Sequence, residues 1–179
     1  MKKTYTVVLI GLLVSMEIVF TRFLSIDAPF FRASLGFLPI SVAAMIFGPL
    51  GGGAVNALSD ILGVMIANRS IAPPHPGITL CAFLIGLTYG FFLYKKPKTI
   101  LRVLLSVLTV NILIEIGLKT YWLSQLYGEA YLIILAPRAA VALIMIPVQT
   151  GAIYNVWRYV GSFIESNVLP KLGLVTVPK

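Results

Sequence analysis

The chain has 179 residues, of which 59% are hydrophobic and only 11% charged, with a mean hydropathy of +0.97. A soluble domain carries about a quarter charged residues, so this composition excludes a soluble enzyme, a nucleic-acid-binding domain and a disordered tail. What remains is an integral membrane protein, short enough to form a single domain over residues 1–179.

Lys2 and Lys3 precede an apolar run from about Tyr5 to Leu24. That run exceeds a signal-peptide core, and no small-x-small cleavage pattern follows cleanly, so it reads as a retained first span. Asp27-Ala28-Pro29 ends it. A hydrocarbon core needs about 20 mostly apolar helical residues. Five further segments come near that length, at about 32–47, 51–67, 78–94, 99–123 and 137–163. Gly48-Pro49-Leu50-Gly51-Gly52-Gly53 forces a turn between the second and third spans. Pro73, Pro74 and Pro76 end the third, because proline cannot continue a hydrogen-bonded helix. Continuous rather than alternating apolar runs disfavour a β-barrel. The expected fold is all-α, an integral membrane bundle of six transmembrane helices.

The formal net charge is +8. Lys95, Lys96, Lys98 and Arg102 form a central cluster at the margin of two spans, and Arg158, Lys171 and Lys179 lie near the end. Basic residues at span margins set orientation in a bilayer, which predicts both termini in the cytoplasm. The outer connections are then about 25–31, 68–77 and 124–136. Cys81 stands alone, so no intramolecular disulfide or cysteine metal cluster forms, and it reads as a small packing residue. No nucleotide-binding loop, zincin motif or nucleophile elbow occurs. Neither catalysis nor a resident cofactor or metal is expected.

Ionisable groups inside a bilayer are costly and mark function by default. They are Glu17, Arg22, Arg32, Asp60, Glu115, Lys119 and Arg138. In the predicted topology Arg22, Arg32, Lys119 and Arg138 converge near the outer face, where basic residues are least expected. Snorkelling to headgroups explains one such residue; four together favour an outward-facing pocket for an anionic ligand. Arg138 follows Pro137, which suits a first helical position, so its guanidinium is expected beside a helix N-terminus. Asp60, with Asn56 before it, either neutralises Arg22 or Arg138 or accepts paired N–H donors from a flat aminopyrimidinone-like heterocycle. Glu115 and Lys119, four apart, form an ion pair on one helix. Glu17 has no evident partner.

His75 lies in the proline-rich loop and reads as a loop-packing residue or a relay. Tyr121, Trp122 and Tyr127 form either an interfacial belt or a stacking surface for an aromatic ligand. Gly11 and Ser15 make a small-x-x-x-small pair that allows another helix to approach.

The block Arg32-Ala-Ser-Leu-Gly-Phe-Leu-Pro-Ile, then Phe47-Gly-Pro-Leu-Gly-Gly-Gly and Ala57-Leu-Ser-Asp-Ile-Leu-Gly, has a family likeness. With Pro76-Gly-Ile-Thr-Leu and Tyr89-Gly-Phe-Phe-Leu, it resembles the substrate-binding S components of energy-coupling factor (ECF) vitamin transporters. The likeness is nearest to the folate-specific members and runs from the first span to the sixth. It implies a six-helix protein of the prokaryotic plasma membrane that binds a vitamin at an extracellular-facing pocket. It also implies partnership with a transmembrane T component and two ABC-type ATPases, which consume the ATP. For folate, the outer arginines would hold the glutamate carboxylates and Asp60 would read the pterin. The expected ligand-facing set is Arg22, Arg32, Asp60, Arg69, His75, Lys119, Trp122 and Arg138. Several S components dock to the T component through an alanine-x-x-x-alanine pattern on the first helix; here the equivalent is Gly11 and Ser15.

Three other functions compete. One is an S component for a different anionic vitamin, such as pantothenate. Another is a stand-alone proton-coupled carrier with Glu17, Asp60 and Glu115 as relay, although no duplicated halves are visible. The third is a membrane scaffold without a small-molecule ligand.

Overall fold

In the computed structural model, residues 2–28, 31–66, 75–168 and 170 are described. The chain is a helical bundle with elements α1 (Lys2–Arg22), β1 (Ser25–Ala28), β2 (Phe31–Ser34), α2 (Phe37–Ile66), α3 (Pro76–Leu93), α4 (Ile100–Thr109), a π-helical stretch (Val110–Lys119), α5 (Thr120–Tyr127) and α6 (Tyr131–Phe163). A short π-helical turn, Ile164–Val168, follows α6. Among the described residues, five helical units are long and apolar enough to cross a membrane.

One of the five, α2, is a hairpin. Gly48 has φ +80°, a conformation that glycine adopts without a steric penalty. It separates an arm of residues 37–47 from an arm of residues 49–66. A Cβ on Gly52 would lie 2.7 Å from the Ala44 Cα. In a continuous helix, residues eight apart are about 12 Å apart along the axis, so the chain has reversed. Pro49 opens the second arm, where its missing N–H costs nothing. The expected turn between the second and third spans is therefore present, and the five units make six antiparallel segments.

α3 packs most extensively against α2. A Cβ on Gly86 would strike the Gly52 carbonyl, and one on Gly90 would strike the Pro49 backbone. These small residues bring two backbones together where side chains would hold them apart. The central core then joins Ile40 and Ala44 of α2, Cys81 and Tyr89 of α3, Val103 and Val107 of α4, and Ile153 of α6. Cys81 is fully buried there, as a packing residue. Large apolar side chains such as Val7, Leu50, Leu132, Leu143 and Tyr159 point outward, which is stable only against lipid or another apolar surface.

Ile46, Ile164 and Val168 form a second cluster with Tyr5 and Leu9, so the start of α1 and the end of the described chain share one end of the bundle with the Gly48 turn. The 94–99 connection lies at that end too. The other end holds the β ribbon, the start of α3 at His75 and the Gly128 turn.

Several boundaries differ from the sequence expectation. The second span was expected from Arg32, yet residues 31–34 pair with β1 in register Ser25↔Ser34 and Asp27↔Arg32, and helix begins only at Phe37. The ribbon satisfies backbone groups that a helix would otherwise bond. The loop expected over 124–136 is reduced to residues 128–130, because α5 continues to Tyr127 and α6 starts at Tyr131. Gly128, at φ +66°, makes the reversal. Pro137 is consequently interior to α6 rather than its first residue, so Arg138 does not stand at a helix N-terminus.

Candidate functional site

A cavity of about 440 Å³ opens inside the bundle, within the size range of small-molecule sites. α3 lines it with Ile78, Thr79, Ala82, Ile85 and Tyr89, a run of about 16 Å along the helix axis. α1 contributes Glu17, Thr21 and Arg22; α2 contributes Phe37, Ile40, Asn56 and Asp60; the π-helical stretch contributes Asn111, Glu115 and Lys119; α6 contributes Arg138, Met145 and Gln149. His75 lies at the rim.

Polar groups fall into levels set by helix position. Furthest from the rim are Tyr89, Asn111 and Gln149, where the Asn111 amide donates to Gln149 Oε1 at 2.8 Å. Asn56 Nδ2 donates to the Ala82 carbonyl at 2.7 Å, tying α2 to α3. Nearer the rim, Glu115 accepts from Lys119 Nζ at 2.7 Å through Oε1 and from Arg138 Nη2 at 2.7 Å through Oε2. Arg138 also donates from Nε to Thr120 Oγ1 at 3.0 Å and from Nη2 to the Glu115 carbonyl at 2.8 Å. Asp60 accepts from Thr79 Oγ1 at 2.9 Å and faces Arg22 Nη2 at 3.7 Å. A bilayer interior demands such pairing, since an isolated charge there is expensive.

The structure thus brings Arg22, Asp60, His75, Lys119 and Arg138 to one cavity. The Glu115–Lys119 pair is present as expected, and of the two structural partners expected for Asp60 it is Arg22 that faces it. Among the described lining residues three cations meet three acids, so these groups form a mixed ionic network rather than a purely cationic cluster. Trp122 is not in the lining. It packs on Gly77 and lies 5.2 Å, centroid to centroid, from the His75 ring. His75 caps α3 by accepting from the Gly77 N–H at 3.1 Å through Nδ1. Arg32 lies in β2, opposite Asp27. Arg69 lies outside the described residues. Gly11 and Ser15 face outward from α1: a Cβ at Gly11 would meet nothing within 4 Å, and Ser15 donates to the Gly11 carbonyl at 2.8 Å.

Sequence reasoning assigned no part in the site to Asn111, Gln149, Thr79 or Tyr89. A signal for the amides was available, since uncharged polar residues inside a span face the bundle interior and hydrogen-bond across helices. Thr79 and Tyr89 carry no comparable signal, because each fits an ordinary packing position.

The comparisons with known proteins agree with this architecture. A family model described as ECF-type riboflavin transporter, S component, matches residues 1–169. The folate transporter FolT of Clostridium novyi (strain NT) is 39% identical over 173 residues, covering 97% of this chain and 99% of the relative. FolT of Leuconostoc mesenteroides is 31% identical over 153 residues, covering 82% of this chain and 81% of that one. A crystal structure of FolT bound with folic acid superposes with a TM-score of 0.78 at 38% identity, over 84% of this chain and 90% of that chain. A family match across nearly the whole chain, with a relative matched over nearly its whole length, leads to one conclusion: the chain is a multi-pass membrane protein that belongs to the S components of ECF-type transporters.

Proposed function

We propose that this chain is the folate-binding subunit of an ECF-type importer in a prokaryotic plasma membrane. It selects the vitamin on the outer side, while a T component and two ABC-type ATPases drive release inside; the chain itself is not an enzyme. The observation that carries the reading is the cavity inside the bundle, mostly apolar in its wall but with acids and cations from several helices facing it. Folate joins a flat donor–acceptor heterocycle to an anionic glutamate tail, and both ends find matching chemistry. Amide and carboxylate groups on several helices suit the heterocycle. Lys119, with three N–H donors and a partly open side chain, suits a tail carboxylate.

The family model's description names riboflavin, a neutral ligand. The ionic lining favours folate, as do the two folate-transporter relatives. In the proposed orientation the Lys95–Lys98 connection and both termini face the cytoplasm, following the positive-inside bias. The outward face of α1 at Gly11 and Ser15 is then free to receive the T component.

Uptake of labelled folate in cells with and without the ATPase subunits tests this function. Accumulation only when the ATPases are present is expected. Equal accumulation without them would support a self-sufficient carrier and overturn the importer reading.

A further inference from the structure

Among the described residues three carboxylates line the cavity, and two of them are already occupied. Asp60 holds Thr79 and Arg22. Glu115 uses one oxygen for Lys119 and the other for Arg138. Glu17 differs. It is 6% exposed, lies against the Ser59 hydroxyl, and its Oε2 is buried with no hydrogen-bond partner among the described residues. A buried acceptor left unmet costs free energy that a protein recovers elsewhere. The terminal carboxylate torsion is soft, so a small rotation presents Oε2 to anything in the cavity it lines.

We propose that Glu17, rather than Asp60, is the specificity residue that accepts the paired N–H donors of an aminopyrimidinone ring. This rests on the folate reading of the site. The chemistry discriminates between ring classes. A 2-amino-4-oxopteridine presents its exocyclic amine and ring N–H side by side, two donors that match two carboxylate oxygens. A flavin presents one N–H between two carbonyls, which face a carboxylate with repulsion. The burial of Glu17 makes this difference large, because an unmatched polar group held away from solvent has little else to bond. Glu17 thereby selects aminopteridines over diones of similar size.

The test measures equilibrium binding of folic acid and of 2-deaminofolic acid, which lacks the exocyclic amine, to purified wild type, Glu17→Gln and Asp60→Asn. Wild type is expected to prefer folic acid by about tenfold or more, the scale of one charge-assisted hydrogen bond. Glu17→Gln is expected to bind both ligands about equally, and Asp60→Asn to keep the preference. A ratio of two affinities from one preparation is not moved by an inactive fraction. If Glu17→Gln yields no monodisperse protein, Glu17→Asp serves, with a reduced ratio expected. An undiminished preference in the Glu17 variant, or its loss in Asp60→Asn alone, overturns the proposal while leaving the folate reading standing. A wild type that binds no folic acid overturns both.

Discussion

The Arg138 guanidinium on α6 reaches the Glu115 carboxylate of the π-helical stretch at 2.7 Å and donates to the Glu115 backbone carbonyl from the same nitrogen. With Thr120 on Nε, one arginine fastens two elements across the cavity wall. Removing one partner of a buried pair leaves the other uncompensated. Arg138→Ala is therefore expected to cost about 3–5 kcal/mol of stability, read as a lower midpoint of thermal unfolding in detergent. The neutral double variant Arg138→Met, Glu115→Gln is expected to recover much of the loss. An unchanged midpoint in Arg138→Ala would show that the pair does not hold the helices.

Lys119 shares Glu115 with Arg138, yet its side chain is 29% exposed where that of Arg138 is 9%. Its role is predicted to lie more with the ligand than with the fold. Lys119→Ala is expected to weaken folate binding by about tenfold, one charged hydrogen bond. Binding of pteroic acid, which lacks the glutamate, should hardly change. Titration of both ligands against both proteins checks this, and equal losses would move the tail contact elsewhere.

The Gly52–Gly86 crossing predicts a sharp contrast between glycines. Gly86→Ala would push a methyl group into the Gly52 carbonyl and is expected to cost about 1–3 kcal/mol. Gly11→Ala meets open space and should leave stability unchanged or raise it by up to about 1 kcal/mol. Thermal unfolding of the two variants side by side decides between them.

The outward face of α1 gives a prediction about assembly. Gly11→Trp adds bulk where no intramolecular neighbour lies within 4 Å. Folate binding by the isolated protein should be unaffected, while co-purification with the T component falls. Intact co-purification would place the docking surface on another helix.

Much of the fold was legible because lipid imposes a simple rule: apolar runs of sufficient length become helices, and prolines and glycines punctuate them. The Gly48 hairpin followed from four glycines and a proline in six residues. The ribbon did not, because its strands, Ser25–Ala28 and Phe31–Ser34, are only four residues each, so their alternation is too short to stand out beside the long apolar runs. Pro137 misled for a related reason. It reads as a helix start, but α6 runs through it, as membrane helices often run through proline when neighbours satisfy the freed groups. In the site, charged residues were conspicuous, and of the four cations expected to converge Arg22, Lys119 and Arg138 line one cavity while Arg32 lies in the ribbon. Their pairing was not, since which carboxylate meets which cation depends on helix rotation. Glu17 is the clearest case: it had no visible partner in the sequence, and in the fold that open oxygen becomes the informative feature.

The central claim is tested most directly by equilibrium binding of folic acid to the purified protein in detergent, with riboflavin and pantothenate in excess as competitors. Sub-micromolar binding (about −8 kcal/mol or stronger) that neither competitor displaces is the predicted result. Tight riboflavin binding without folate binding would contradict it.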